Sequence, residues 1–423
     1  MEMRIELPKP TWYEEGAYNL KFPDKWEVEI CAMKGDHKSP LSHHEVQRKF
    51  ESPLGTERIS KLAKGKREVA IIFDDMARGT RVYQFVPHIL NELQENGIAK
   101  DRIRFIMALG AHGTRTRIDF AKKLGEDVCS SFAVYNHDPF QNCVKLGKTS
   151  RGTSVELNKE VAKCDLKIGI GSIVPHPLTG FGGGSKIIVP GVASIETIYQ
   201  NHVILGRSGP GRTPHPSIGF GIYEGNVVYE DLEEAAKIAR LDVKVDALLN
   251  AKSETTDLFV GDPAIEFREG VKVAVKHYVT KPSNAVDVVI ANVPTKSNEA
   301  AIAMWTAIVS LRDGGTMVLL ADTPEGQTTH YLHGKFGSDL GGKGWRPTND
   351  YPKIGKIIIL SRYKEVDPLL PISPRWRLLW KDRWEDVLEE IEKEHKANVK
   401  VAVYPCAEIQ YPPGGIRRPP NMF

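Results

Sequence analysis

Between residues 67 and 171 the chain alternates short apolar, β-branched runs with helical patterns, and this alternation constrains its fold more than any other feature. Arg67–Phe73 (REVAIIF) is the first such run. A run of this length that is apolar nearly throughout suits a strand buried on both faces of a parallel sheet. From Arg81 to Asn96, Val82, Phe85, Val86, Ile89, Leu90 and Leu93 recur at helical spacing, and Gly97 supplies a stop. Strands are then expected at Ile103–Leu109, Phe132–Tyr135 and Leu166–Gly171, with a short helix near Arg117–Leu124. Strands alternating with helices imply stacked βαβ units and a doubly wound sheet.

Helices are expected at Glu230–Arg240 and Pro263–Tyr278, and Lys281-Pro282-Ser283-Asn284 reads as a boundary. A second alternating set follows: strand Val286–Ala291, helix Glu299–Leu311, a turn at Asp313-Gly314-Gly315 and strand Met317–Ala321. Strand Ile357–Ser361, helix Trp384–Lys396 and strand Val399–Tyr404 complete it. The expected architecture is α/β with two domains, residues 1–280 and 284–423, each a mostly parallel sheet flanked by helices, with the active site in the cleft between them. Residues 1–60, interrupted by Pro8, Pro10, Pro23, Pro40 and Pro53, read as irregular.

Composition narrows the function classes. With 423 residues, 41% hydrophobic and 26% charged, the chain can bury sizeable cores. Lys plus Arg (57) nearly balance Asp plus Glu (54), which leaves no electrostatic footprint for nucleic acid. No apolar run reaches the roughly 18 residues of a membrane span, and the first residues, MEMRIELPKPTWYEEG, lack a hydrophobic signal core. A cytoplasmic protein with no membrane partner is the expectation. Five scattered cysteines without a CxxC pair point to reduced thiols.

Open α/β sheets place ligands at the C-terminal ends of their strands. Four segments qualify: Asp74–Thr80, Gly110–Gly113, Ser172–Lys186 and Asn292–Asn298. In the first, Arg78-Gly79-Thr80 precedes a helix, so its amides and the arginine favour an anion, though a capping turn with solvated charges has the same composition. It is neither a phosphate-binding P-loop nor a GxGxxG fingerprint, and Gly180–Gly184 is too irregular for either, so nicotinamide dinucleotide binding by the standard route is poorly supported. His112 directly follows a strand and can face a cleft as an acid or base; a structural histidine is the competing reading. His176 stands between two prolines in a loop longer than compact domains normally carry without function. His137 also ends a strand and reads as support for a site, while His43, His44 and His215 read as surface residues. Lys186, after a glycine triplet and before Ile187-Ile188-Val189, is either an exposed loop lysine or a desolvated amine able to act as nucleophile or covalent anchor. His202 is either a cation at a helix end or a lone metal ligand. No HExxH or cysteine cluster marks a zinc site, so such a metal needs its remaining donors from elsewhere.

The order PLG (Pro53–Gly55), a strand with D-x-x-R (Asp75 to Arg78), a strand with GxH (Gly110–His112), and then PH…GF-x-GG-x-K…PG-x-A-x-x-x-T-x-x-NH (Pro175 to His202) resembles the lactate racemase family. The likeness is dense from about Pro53 to Tyr278 and looser beyond. That family uses a nickel-pincer nucleotide, a pyridinium bis-thiocarboxylic acid mononucleotide. The resemblance implies that Lys186 anchors this cofactor covalently, that His202 is the protein's ligand to nickel, and that His112 and His176 are the acid/base pair. Asp75 and Arg78 match the segment contacting cofactor and substrate, Arg78 holding the substrate carboxylate. The implied function is racemisation or epimerisation of a 2-hydroxy acid by reversible hydride transfer, with cofactor-biosynthesis enzymes as partners. Two histidines serve such chemistry because the enantiomers present their hydroxyls in different directions, and a pKa near neutral suits each one.

One departure stands out. Lactate racemases carry a Tyr-Gln pair and then a lysine in the second domain, where this chain has Ala300, Ala301 and Met304. Loss of those polar groups implies a 2-hydroxy acid other than lactate, with room for a larger one. Trp305 is either a stacking face or a core residue. Two alternatives stay open: another reaction begun by hydride abstraction on the same cofactor, and a non-catalytic nucleotide-binding relative.

Overall fold

The computed structural model describes residues 3–208, 213–332, 353–365, 378–395 and 398–417. It contains two six-stranded sheets. The first has the spatial order Thr255–Gly261, Val243–Leu249, Leu166–Ser172, Val69–Asp74, Ile103–Ala108, Ala133–Asn136, parallel throughout except for its first member. The chain winds outward from Val69–Asp74 in one direction, then returns to Leu166–Ser172 on its other side. The switch point therefore lies between these two strands, where the crevice of a doubly wound sheet opens. Val69–Asp74 and Leu166–Ser172 are buried at every position, as expected for central parallel strands.

The second sheet runs Leu378–Lys381, Ile354–Leu360, Leu311–Leu320, Val286–Asn292, Lys400–Tyr404, Glu27–Ile30, and its pairings are all parallel. Its switch point lies between Val286–Asn292 and Lys400–Tyr404. Strand periodicity sorts its side chains into two cores. Val289, Ala291, Met317, Leu319 and Tyr404 pack with Met304 and Trp305 on one face. Val288, Ile290, Val318 and Leu320 pack on the other against the helix Trp384–Glu394 and the hairpin Met3–Pro8/Ala17–Phe22.

The two parallel-sheet α/β units expected from the sequence are present. The N-terminal segment departs from its irregular reading: Ile5, Leu7, Leu20 and Phe22 cover the second sheet, and Glu27–Ile30 forms its edge. The chain thus visits the second sheet before it builds the first, a crossing that a division at residues 281–284 does not include. Val243–Leu249 and the antiparallel Thr255–Gly261 add strands the sequence reading passed over. The expected helix Glu299–Leu311 is a 3-10 segment, Ser297–Ile302, followed by a short helix, Ala303–Ala307, and Leu311 already opens the next strand. Among the described residues no helix is long and apolar enough to cross a membrane, and all five cysteines are free.

Candidate active site

Both switch points contribute to one crevice. From the first sheet, the segment after Val69–Asp74 is pinned from below by Lys123, which is fully buried. Its ammonium donates to Asp74 Oδ1 at 2.8 Å and to the carbonyls of Arg78 and Thr80 at 2.8 and 3.2 Å. Thr80 donates to Asp74 Oδ2 at 2.5 Å, and Trp12 Nε1 reaches the Arg78 carbonyl at 2.9 Å. These bonds fix the backbone from which Asp75 and Arg78 project. No helix begins directly at Thr80; a 3-10 turn at Val82–Gln84 precedes the helix Val86–Gln94.

Asp75 lies behind His112, its Oδ2 2.6 Å from the imidazole Nδ1. His112 Nε2 is 3.3 Å from Glu299 Oε1, and Arg78 Nη1 donates to Glu299 Oε2 at 2.7 Å. Glu299 comes from the second domain, so this carboxylate joins the two crevices. The ring of His330 stands edge-on to that of His112, centroids 5.2 Å apart. Burial alone would lower the pKa of His112, but the carboxylates of Asp75 and Glu299 outweigh it and raise it to about 9. Asp75 is pulled below its usual range by His112 and Arg78 against the opposing effect of burial.

His176 sits in the short strand pair Pro175–His176/Gly180–Phe181. Its Nδ1 accepts from the amides of Leu178 and Thr179 at 3.1 and 3.3 Å, with the Thr179 hydroxyl at 3.1 Å. A ring that accepts at Nδ1 carries its neutral-state proton on Nε2. Burial, then the positive charges of Lys186, Lys296 and Arg78, hold its pKa well below the ordinary value.

The glycine triplet shapes the next element. Gly184 adopts φ +53°, and a Cβ there would lie 2.3 Å from the Tyr229 hydroxyl, so no larger residue fits. Its amide donates to Asp246 Oδ2 at 2.5 Å, and buried Lys244 pairs with the same carboxylate. The following turn, Gly184–Ile187, presents Lys186 with its Nζ 3.4 Å from His202 Nε2. His202 lies in a π-helical turn, Gln200–Leu205, that continues the helix Ile195–Tyr199. Such widened turns recur at functional sites. Burial and the charges of Arg78 and Lys296 lower the Lys186 pKa to about 7, so much of its amine is neutral and nucleophilic near neutral pH.

The structure thus gathers Asp75, Arg78, His112, His176, Lys186 and His202 around one crevice. His137 supports it: its Nε2 is 2.8 Å from the Ala193 carbonyl, in the loop between Lys186 and His202. Sequence reasoning missed Glu299 and Lys296. Lys296 lies in Asn292–Asn298, one of the four strand-end segments, and Glu299 follows it directly, but neither side chain was itself singled out; the signal available was their position after an apolar strand. Ala300 and Met304 are buried, Met304 beside Trp305, which stacks on Phe220 with ring centroids 6.4 Å apart. Trp305 is therefore a core residue.

Comparison with known proteins bears on the N-terminal domain and the fold. Residues 13–211 match the lactate racemase N-terminal domain family. The lactate racemase of Thermoanaerobacterium thermosaccharolyticum is 27% identical over 93% of this chain and 86% of its own length. That of Lactiplantibacillus plantarum is 28% identical over 76% of this chain and 75% of its own. The solved lactate racemase apoprotein from T. thermosaccharolyticum superposes with a TM-score of 0.72 at 21% identity, covering 96% of this chain and 99% of that one. A Thermotoga maritima protein superposes with a TM-score of 0.63 at 16% identity, covering 88% and 99%. In its motifs, its N-terminal domain and its fold, the chain is thus similar to the lactate racemases.

Proposed function

We propose that this protein racemises or epimerises a 2-hydroxy acid other than lactate, using a nickel-pincer nucleotide held by Lys186 and His202. The observation that carries the reading is the buried pair of Lys186 Nζ and His202 Nε2 at 3.4 Å, which sets a nucleophilic amine and an imidazole on one cavity. The donor set fits that group: Lys186 would anchor it and His202 would donate to its metal, whose remaining ligands would come from the cofactor itself. When bound, the cofactor supplies a reversible acceptor for the hydride on the substrate Cα. Arg78 binds the substrate carboxylate and aims the Cα–H. His112 exchanges the hydroxyl proton at Nε2, its tautomer and charge governed by Asp75 at Nδ1. His176, held at Nδ1 by its loop, meets the opposite hydroxyl direction through Nε2. The small side chains at 300 and 301 support a substrate other than lactate.

The test is expression beside the cofactor-making enzymes, the intact mass of the protein, and incubation with a panel of single-enantiomer 2-hydroxy acids. The expected result is an adduct at Lys186, bound nickel and appearance of the opposite hand without net loss of substrate. Substrate consumption without inversion would instead indicate another hydride-initiated reaction. An unmodified Lys186 without nickel would indicate a non-catalytic relative.

A further inference from the structure

We propose that Glu299 occupies, in the free protein, the subsite that receives the substrate carboxylate, and that Lys296 is a second substrate-binding cation completing that subsite. This rests on the 2-hydroxy acid reading above. Glu299 is bonded as a bound acid would be: one oxygen accepts from Arg78 at 2.7 Å and the other lies 3.3 Å from His112 Nε2. Its backbone, at φ −128° and ψ 43°, breaks the helical path of its own segment. The carboxylate that meets these groups is thus an internal one, from the opposite domain.

Lys296 supplies the second observation. It is 1% exposed, yet its Nζ has no hydrogen-bond partner among the described residues. Leaving a buried ammonium unpaired is costly, and such a group marks a place for an absent ligand. Its backbone is not free to withdraw it. Glu408 Oε1 accepts from Thr295 N, Thr295 Oγ1 and Lys296 N at 2.6, 2.8 and 3.2 Å, which fixes the loop and leaves the side chain over. The Lys296 carbonyl accepts from the Glu299 amide at 2.8 Å, so one turn carries both residues, and Lys296 lies within electrostatic range of Arg78, Lys186 and His176 as well as of Glu408. Arg78 and His112 already share the carboxylates of Asp75 and Glu299, and the one carboxylate held against the Lys296 loop, Glu408, spends its Oε1 on Thr295 and on the Lys296 amide, so the Lys296 amine itself meets no acceptor at hydrogen-bond distance among the described residues. An incoming carboxylate supplies that acceptor. On binding, its carboxylate replaces Glu299 on Arg78 and engages Lys296, and the departure of Glu299 clears His112 Nε2 for the substrate hydroxyl.

The inference predicts opposite signs for two neighbouring variants. Glu299→Gln removes the competing charge, and Lys296→Met removes the receiving one. Calorimetric titration of the cofactor-loaded proteins with phenylpyruvate, a 2-oxo acid of the expected class, should show Kd at least threefold lower for Glu299→Gln. It should show Kd about tenfold higher for Lys296→Met, with Lys296→Arg close to wild type. For any acid the panel identifies, KM should follow the same signs with a smaller change in kcat. Weaker or unchanged binding by Glu299→Gln, unchanged binding by Lys296→Met, or no binding to the wild-type protein would overturn the inference. If no panel acid is inverted, the proposed function fails, while the binding titrations still decide the role of these two residues. If inversion occurs and the signs do not oppose, this inference falls alone.

Discussion

His112 and His176 occupy comparable places yet are driven to opposite charge states. Each follows a strand flanking Val69–Asp74, and each is largely enclosed. Burial lowers the pKa of both. For His112 two carboxylates reverse that effect and bring it to about 9; for His176 the nearest charges are positive and deepen it. The sequence reading expected a value near neutral for each. The difference shows that partners, more than enclosure, decide what a site histidine can do, and it prepares one ring to give a proton and the other to remain neutral.

The strongest way to break this contrast is Asp75→Asn. It removes the carboxylate behind His112 Nδ1, and the cost to inversion of a 2-hydroxy acid should be about 10²–10⁴-fold, as for other acids that orient a catalytic imidazole. In the same variant the His112 NMR titration should fall from about 9. A titration that stays there would show that the contrast does not come from Asp75.

The pH dependence of stability sharpens the comparison next. Because folding raises the His112 pKa from 6.5 to about 9, its contribution is complete below 6.5 and is lost as pH rises through about 9. The Tm difference between wild type and His112→Gln should shrink across that window. His176 has the opposite shift, so protonating it as pH falls below 6.5 opposes the fold. A wild-type advantage that grows from pH 6.5 to 9 would contradict the assignment.

The smallest effect is expected at Thr179→Val. It removes the hydroxyl that lies 3.1 Å from His176 Nδ1 and donates to the Phe181 carbonyl at 2.8 Å, and leaves both amides on the ring, so turnover should fall about fivefold, corresponding to ~1 kcal/mol. A loss as large as that of Asp75→Asn would make the hydroxyl, and not the amides, the element that holds this ring.

Much of the first sheet was legible because its central strands are unbroken apolar runs. Val243–Leu249 was not, since Lys244 and Asp246 interrupt the pattern and pair with each other inside the protein. The N-terminal hairpin hid in the same way: Ile5, Leu7, Leu20 and Phe22 alternate correctly, but the prolines around them suggested irregular chain. The π turn that carries His202 has no counterpart in side-chain periodicity. In the site, Lys186 and the histidines stood out through glycines, prolines and strand ends. Glu299 and Lys296 follow a strand end too, but no glycine, proline or motif set them apart from their neighbours.

By itself the sequence determined where strands end and which polar residues stand there, because side-chain periodicity and glycine or proline chemistry act over a few residues. Only the tertiary structure decided the charge each group carries and which partner it meets. Arg78 and Glu299 are 221 positions apart in the chain, and their pairing exists only because two switch points face one another. Electrostatic energy in a buried crevice depends on distance through space, which separation along the chain does not encode.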